Sequence, residues 1–477
     1  MTTIPPPKAA AATGARLERR LGAWNCALLT IGSVVGTGIF LTPRDVARAL
    51  HDPWLVIAVT VVAGLFTLVG ALTYAELGVM FPRAGGLYVF LKEAYGPAWA
   101  FLYGWAAFLV IMSGGVAAIA MGFAQCAATF VPWCAPDHVL ASVHLGGRLW
   151  QPAAPAVAAT VAIVVLTAVN HLGLRAGATL QAGLTLAAVI AVTALALFAA
   201  VHGATALHSP ALAPPPPNGD ALGSGLRLGG GALAGLGVAM VAMLWTYDGW
   251  YGLTFSAGEV RRPERDIPRG LILGTVSVIV LYTIAMAAYV RVLPMALLID
   301  APNAAEATAA MLGGARAARL ASAVVVVCTL GCLAGTILYG SRTYVAMAED
   351  GLFFAPMARV HPRFHTPTAA LWAQSAWACV LVWSGTYAQL YTYVTVVVIL
   401  FHFATTVAVF VLRRRAPDHS RPYHVWGYPV VPALFALACL LLLGSALHDA
   451  PRQSITGLVC VAAGLPALRL WQRKKPG

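Results

Sequence analysis

Twelve apolar runs, most of them close to the length that crosses a hydrocarbon core, dominate this sequence. They cover roughly 22–41, 54–80, 97–130, 153–170, 179–202, 231–257, 268–293, 318–348, 367–385, 388–412, 430–447 and 453–470. A spanning helix needs about 20 predominantly apolar residues. The chain is therefore expected to be an all-α polytopic membrane protein with twelve transmembrane helices. The third and eighth runs are long and should tilt or protrude. Only 10% of residues are charged, against about 25% in soluble domains. A single twelve-helix domain is expected at 21–470, between tails at 1–20 and 471–477, and no stretch outside the runs is long enough for a soluble domain. Met1–Arg20 lacks an apolar core, so no cleavable signal peptide is expected.

The net charge of +13 is not a nucleic-acid signal, because the basic residues cluster between apolar spans. With the N-terminus inside, predicted cytoplasmic segments hold about 22 Lys and Arg and the outer segments 8. That asymmetry supports an even helix number and both termini inside. Ala204–Gly230, with Pro214–Pro217, reads as an irregular outer loop, and Leu293–Arg316 has room for a short surface helix. Arg413–Tyr428 reads as a basic inner loop. Most of the eight cysteines lie inside apolar runs as small packing residues. They have no metal-ligand spacing; Cys134 falls in a predicted outer loop.

Two runs carry interruptions. In the sixth, Asp248 is followed by Gly249. A carboxylate at the bilayer centre costs about 2.5–3.5 kcal/mol on insertion scales, and Gly weakens a helix by about 1 kcal/mol relative to Ala. Such a segment is tolerated where it is buried in protein or lines a wet cavity. It is either a broken helix on a substrate path or an Asp satisfied by a neighbouring helix. In the first run Gly32, Gly36 and Gly38 surround Thr37. Glycines here either let the backbone unwind or let helices touch. Freed N–H groups suit a carboxylate and freed carbonyls suit an ammonium. The breaks fall in the first and sixth spans, corresponding positions of two five-helix halves, which is the sequence mark of a transporter built from inverted repeats 1–5 and 6–10 with two helices appended.

Five stretches together resemble the amino acid–polyamine–organocation transporters, most closely the L-amino-acid-transporter-like branch. They are IGSVVGTGIFLTP at 31–43, YAELGVMFPRAGGLYVFLKEAYGP at 74–97, LWTYDGWYGLTFSAGEVRRPERDIPRG at 244–270, GSRTYVAMAEDGLFFAPMARVHPRFHTP at 340–367 and RPYHVWGYP at 421–429. The resemblance implies helices 1 and 6 unwound at mid-membrane and an amino acid held by backbone. Its carboxylate would meet Gly36, Thr37 and Gly38. Its ammonium would meet carbonyls near Ile31 and at Trp245, Thr246 and Asp248, with Gly249 in the helix-6 break. Trp245 takes the aromatic gate position. Tyr74, Glu76, Arg83, Glu259 and Arg261 are inner-gate residues or plain ion-pairing residues of the cytoplasmic rim. Asp248 either contacts a cationic side chain or only holds the break.

Two departures stand out. Tyr251 replaces the Asn of many relatives, and Ala188 stands where relatives carry a Lys seven residues after Gln181. A buried lysine tethers helices and carries protons; Ala188 does neither. His402 in the tenth span is a proton relay or a hydrogen-bonded packing residue. Cys134 resembles the cysteine that links some animal relatives to a glycoprotein, but the Ala- and Arg-rich composition fits a bacterial chain with no obligatory protein partner.

The expected function is secondary transport of amino acids, neutral L-amino acids first, across the plasma (inner) membrane, in contact with lipid and not nucleic acid. The alternative is a cationic amino acid or polyamine carrier using Asp248. No cofactor and no metal are expected, and the coupling ion, H+ or Na+, is open. No catalytic constellation, selectivity-filter loop or Walker A motif is present, so enzyme, channel and ATP-driven readings lack support.

Overall fold

The computed structural model describes residues 19, 21–135, 137–145, 148–150, 152–172, 174–202 and 230–473. Nearly all of the expected N-terminal tail, residues 204–229 of the outer loop and the last four residues lie outside these. Ten helices among the described residues are long and apolar enough to cross a membrane, and two shorter apolar helices, Gly235–Tyr247 and Thr368–Val382, fill the sixth and ninth runs.

In chain order the helices are α1 (Ala23–Val34), α2 (Gly38–Leu41), α3 (Pro43–Leu50), α4 (Pro53–Met80), α5 (Leu87–Tyr95), α6 (Pro97–Ala106), α7 (Met112–Ala127), α8 (Ala154–His171) and α9 (Leu174–His202). There follow α10 (Gly230–Tyr247), α11 (Gly252–Phe255), α12 (Pro263–Val292), α13 (Met295–Asp300), α14 (Ala304–Glu349) and α15 (Thr368–Val382). The last four are α16 (Tyr387–Arg415), α17 (Val430–Asp449), α18 (Pro451–Ala462) and α19 (Gly464–Arg473). One antiparallel hairpin, β1 (Val143–Leu145) with β2 (Arg148–Trp150), decorates the loop before α8.

The first, third and tenth spans form the interior: 72%, 83% and 72% of their apolar windows are buried, against 28% for the fifth and the last. Packing follows from this, with α12 against α1 and α4, α14 against α7 and α9, and α16 against α7 and α17. The two long runs resolve differently. The third carries a π-helical turn, Ala107–Ile111, between α6 and α7, a local unwinding that is frequent at functional sites. The eighth is extended by α14, whose N-terminal part bends at Gly313 and Gly314, the latter at φ 68°. The sequence reading did not separate α5. It is nine residues long, too short to span, yet it buries Leu87, Tyr88, Val89, Phe90, Leu91 and Ala94.

At the arginine-rich end one carboxylate ties three segments. Glu76 of α4 is fully buried. It accepts two bonds from Arg413 of α16, at 2.8 and 2.6 Å, and the Val425 N–H at 2.7 Å. The Arg413 guanidinium also lies 3.7 Å from the centre of the Tyr428 ring. Removing one partner of such a pair leaves a buried charge uncompensated, at about 3–5 kcal/mol, whereas replacing both by apolar groups is often near neutral. Arg421 also lies 3.9 Å from Glu76. Glu76→Ala, which strands both arginines, should therefore lower stability by about 3–5 kcal/mol, and Glu76→Leu with Arg413→Met, which strands only Arg421, should lose less. Thermal unfolding of the purified protein checks this; equal losses in the two variants would show that the pair is not the source.

Candidate functional site

Helix α1 ends at Val34, and residues 35–37 are non-helical before α2 begins at Gly38. Thr42 joins α2 to α3 with helical dihedrals, so Gly38–Leu50 is one half-helix. In the sixth span α10 ends at Tyr247, Asp248 donates its N–H back to the Trp245 carbonyl at 3.0 Å, and Gly249 takes φ 97° before α11. Among the described hydrogen bonds, the Thr37 and Gly38 N–H groups donate to no backbone carbonyl. The first N–H groups of a helix have no partner inside it, so this half-helix starts with open donors.

The two breaks face each other at backbone distance. A Cβ on Gly38 would sit 2.5 Å from Thr246 Cα, and one on Gly249 would sit 2.3 Å from the Ser33 carbonyl oxygen. Thr42 Oγ1 and Thr246 Oγ1 are 2.6 Å apart, which ties the halves together.

Between the breaks lies a cavity of about 30 Å³. Ser33, Val34, Gly36, Thr37 and Gly38 line one wall, Trp245, Thr246, Asp248 and Tyr251 another, and Cys332, Thr336 and Tyr339 of α14 a third. Ile111, Met112, Gly115 and Ile119, from the π-turn and α7, complete it. Asp248 is the only acidic or basic residue among them. The volume suits a water and nothing larger, so this conformation is closed.

Aromatic groups cap both sides. Toward α3, Trp245 donates from Nε1 to the Tyr387 hydroxyl at 2.9 Å, and that hydroxyl donates to Thr37 Oγ1 at 3.2 Å. Tyr391 stacks on Trp245 at 5.9 Å and bonds Asp45 at 3.1 Å. On the arginine-rich side Tyr339 stacks on Phe255 at 5.6 Å. One turn further along α14, Arg342 pairs with Glu259 at 2.9 Å, both buried. Arg342 also borders a vestibule of about 1270 Å³ that reaches Arg83, Lys92, Asp350, Arg359 and His361.

The sequence model of the amino acid permease family matches residues 21–462. The chain belongs to the amino acid permease family. It is similar to the serine/threonine exchanger SteT of Bacillus subtilis (strain 168), 27% identical over 96% of this chain and 98% of the relative. It is also similar to the human b(0,+)-type amino acid transporter 1, 27% identical over 91% of this chain and 84% of the relative. The human cystine/glutamate transporter is 24% identical over 96% of this chain and 87% of its own length. The permease is thus an amino acid transporter and a multi-pass membrane protein, not an enzyme.

Of the residues singled out from the sequence, the permease places Gly36, Thr37, Gly38, Trp245, Thr246 and Asp248 on the cavity, and Gly249 against Ser33 behind it. Ile31 is not among the lining residues, and its carbonyl accepts the Val35 N–H at 2.8 Å; Ser33 and Val34 occupy the edge of the break instead. Gly32 stays helical and packs on α9, where a Cβ would sit 2.2 Å from Thr185 Oγ1. Ala188 is buried in the apolar core.

The five rim residues do not converge. Tyr74 meets His402, Glu76 meets Arg413, and Arg83 pairs with Glu93. Glu259 meets Arg342, while Arg261 is exposed with its N–H on the Leu21 carbonyl. Arg342, Tyr387 and Tyr391 were not singled out as site residues. Arg342 had a readable signal, as an arginine inside an apolar run; the tyrosines had none.

Gly249→Ala adds left-handed strain, worth about 1–2 kcal/mol, to a backbone clash with Ser33. It should cut substrate binding more than tenfold and lower the melting temperature. Gly115→Ala, whose Cβ meets nothing within 4 Å, should leave the melting temperature unchanged. Thermal unfolding and ligand binding of both variants check the contrast.

Proposed function

We propose that this permease moves α-amino acids across the plasma membrane by alternating access, with the substrate backbone held between the two helix breaks. The observation that carries the proposal is the pair of open helix ends meeting across one small cavity. The carboxylate binds the N–H groups at Thr37 and Gly38, helped by the positive end of the half-helix and the Thr37 hydroxyl. The ammonium binds carbonyls at the end of α10 beyond Trp245, at Thr246 and Asp248, and the edge of α1 at Ser33; the Trp245 and Val34 carbonyls already accept the Asp248 N–H and the Tyr282 hydroxyl. These contacts address groups that all α-amino acids share, so selectivity falls to the remaining wall. That wall is apolar at Ile111, Met112 and Ile119, which favours neutral L-amino acids. A second reading, cationic substrates, is favoured by one observation: Asp248 is the only charge on the cavity.

The arginine-rich end faces the cytoplasm in this reading, with both termini there, as charge asymmetry predicts. Substrate leaves through the vestibule when Tyr339–Phe255 and Arg342–Glu259 separate, and enters when Trp245, Tyr387 and Tyr391 swing away. The permease works without an obligatory protein partner: Cys134, in its short turn, is buried at 6% exposure, a poor position for a disulfide to another chain.

The test is uptake of labelled serine and leucine into proteoliposomes, empty or preloaded with unlabelled amino acids. Saturable uptake that accelerates on preloading is expected. Gly115→Val should raise the KM for leucine more than for serine, because it fills the side-chain wall. Absence of uptake of any neutral or cationic amino acid by folded protein would remove the proposal.

A further inference from the structure

Behind Asp248 lies a second cavity, of about 20 Å³, lined by Phe66, Thr67, Leu244, Trp250, Thr395 and His402 among others. Asp248 lines this cavity as well as the first, and so forms the partition between them. The volume accommodates one water, and the only ionisable side chains on its wall are Asp248 and His402. His402 is buried, with Nδ1 2.7 Å from the Tyr74 hydroxyl. Among the described hydrogen bonds its Nε2 has no protein partner. The ring is enclosed by Trp250 at 5.3 Å, Tyr251 at 5.0 Å, Tyr74 at 5.7 Å and Phe435 at 6.3 Å.

Around these two groups, the sixth-span break supplies Asp248 and Tyr251, α4 supplies Tyr74, α6 supplies Tyr103, α14 supplies Cys332 and Tyr339 on the Asp248 side, and α17 supplies Phe435 with Cys439 one turn on. No lysine or arginine lines either cavity. Asp248 is hydrogen-bonded by the Gly249 N–H and the Tyr251 hydroxyl but has no protein cation to offset it, and an ionised carboxylate away from water without a cation is disfavoured. Something that enters must neutralise it.

We infer that Asp248 and His402, linked through the second cavity, hold one proton between them in the substrate-free carrier. A cationic side chain entering the first cavity takes the place of that proton, which leaves to solvent; a neutral substrate leaves it in place. The cavity then has the same net charge whether the substrate is neutral or cationic. This rests on the amino acid transport proposed above and joins its two readings, because one carboxylate serves neutral substrates when protonated and cationic ones when ionised. Such a pair titrates as a unit, so His402 acts as a positioning and proton-holding residue outside the substrate cavity.

The test is binding of lysine, serine and leucine to the purified full-length protein between pH 5.5 and 8.5, with proton release read by an indicator dye in weak buffer. The expected result is lysine affinity that rises about tenfold per pH unit where the pair is protonated, with one proton released per lysine, and serine or leucine binding that does not vary. His402→Asn keeps an acceptor for Tyr74 but removes the second seat for the proton. It should fold, keep neutral amino acid affinity, and move the midpoint of the lysine profile at least one unit toward lower pH.

Lysine affinity independent of pH with no proton release overturns the inference, as does a His402→Asn profile superimposable on the native one. Neutral binding with no lysine binding at any pH overturns it too. Failure of all three amino acids to bind to folded protein counts instead against the transport reading. If His402 served packing alone, His402→Asn would change the melting temperature without moving the pH midpoint.

Discussion

The contact between the two helix breaks organises everything else in this permease. Gly38 against Thr246 and Gly249 against Ser33 bring the backbones that flank the two breaks closer than any side chain allows. Unwinding leaves polar groups that water cannot reach, and in a bilayer each costs several kcal/mol unless something satisfies it. Facing the breaks toward each other concentrates open donors from one and open acceptors from the other in a single small volume. The interior position of the first, third and tenth spans fits this, because the first and third line the volume and the tenth caps it through Tyr387 and Tyr391. The Thr42–Thr246 hydrogen bond, at 2.6 Å, ties the helices beside the two breaks to each other.

The closures on the two sides are chemically unlike. On one, Trp245, Tyr387 and Tyr391 form a stack fixed by neutral hydrogen bonds, with Asp45 at its edge. On the other, the stack of Tyr339 on Phe255 is backed by the buried ion pair Arg342–Glu259. Separating a buried pair without solvating both charges is costly, so the vestibule beyond Arg342 matters energetically as well as sterically. Arg342, though buried, lies on the wall of that vestibule of about 1270 Å³. Arg342 reinforces the point by also donating to the Leu338 carbonyl at 2.5 Å, which anchors the charge to α14 rather than to the segment carrying Glu259.

What the sequence made legible was whatever is written in periodicity or in glycine. The runs gave the spans, and the glycines with Asp248 gave both breaks, because a helix interruption must use residues that tolerate it. Pairings across the bundle were not legible. Glu76 and Arg413 are 337 positions apart, and nothing local in either segment names the other. The five rim residues were grouped by motif order, yet they disperse into separate partnerships, since neighbours in a motif need not face the same way on a helix. Ile31 was placed one turn too early for a related reason: its carbonyl still belongs to the ladder of α1, and the break begins only after Val34. Gly32, likewise, serves close packing on α9, the use of small residues that membrane helices share.

Ala188, buried in the apolar core and off the wall of the cavity, supplies no cation to the site. A lysine at that position would place a cation in the membrane interior; here a methyl group lies in the apolar core. The only formal charge left on the cavity wall is then negative, at Asp248. A cavity with a resident cation can offset an ionised acid internally, whereas one without it must draw a compensating positive charge from solvent with each cycle. The low effective dielectric of the site enlarges that demand. The absence of a cation from the cavity wall and the acid in helix 6 are therefore one electrostatic arrangement, and in the proposed cycle the charge of the substrate becomes part of how the carrier is balanced.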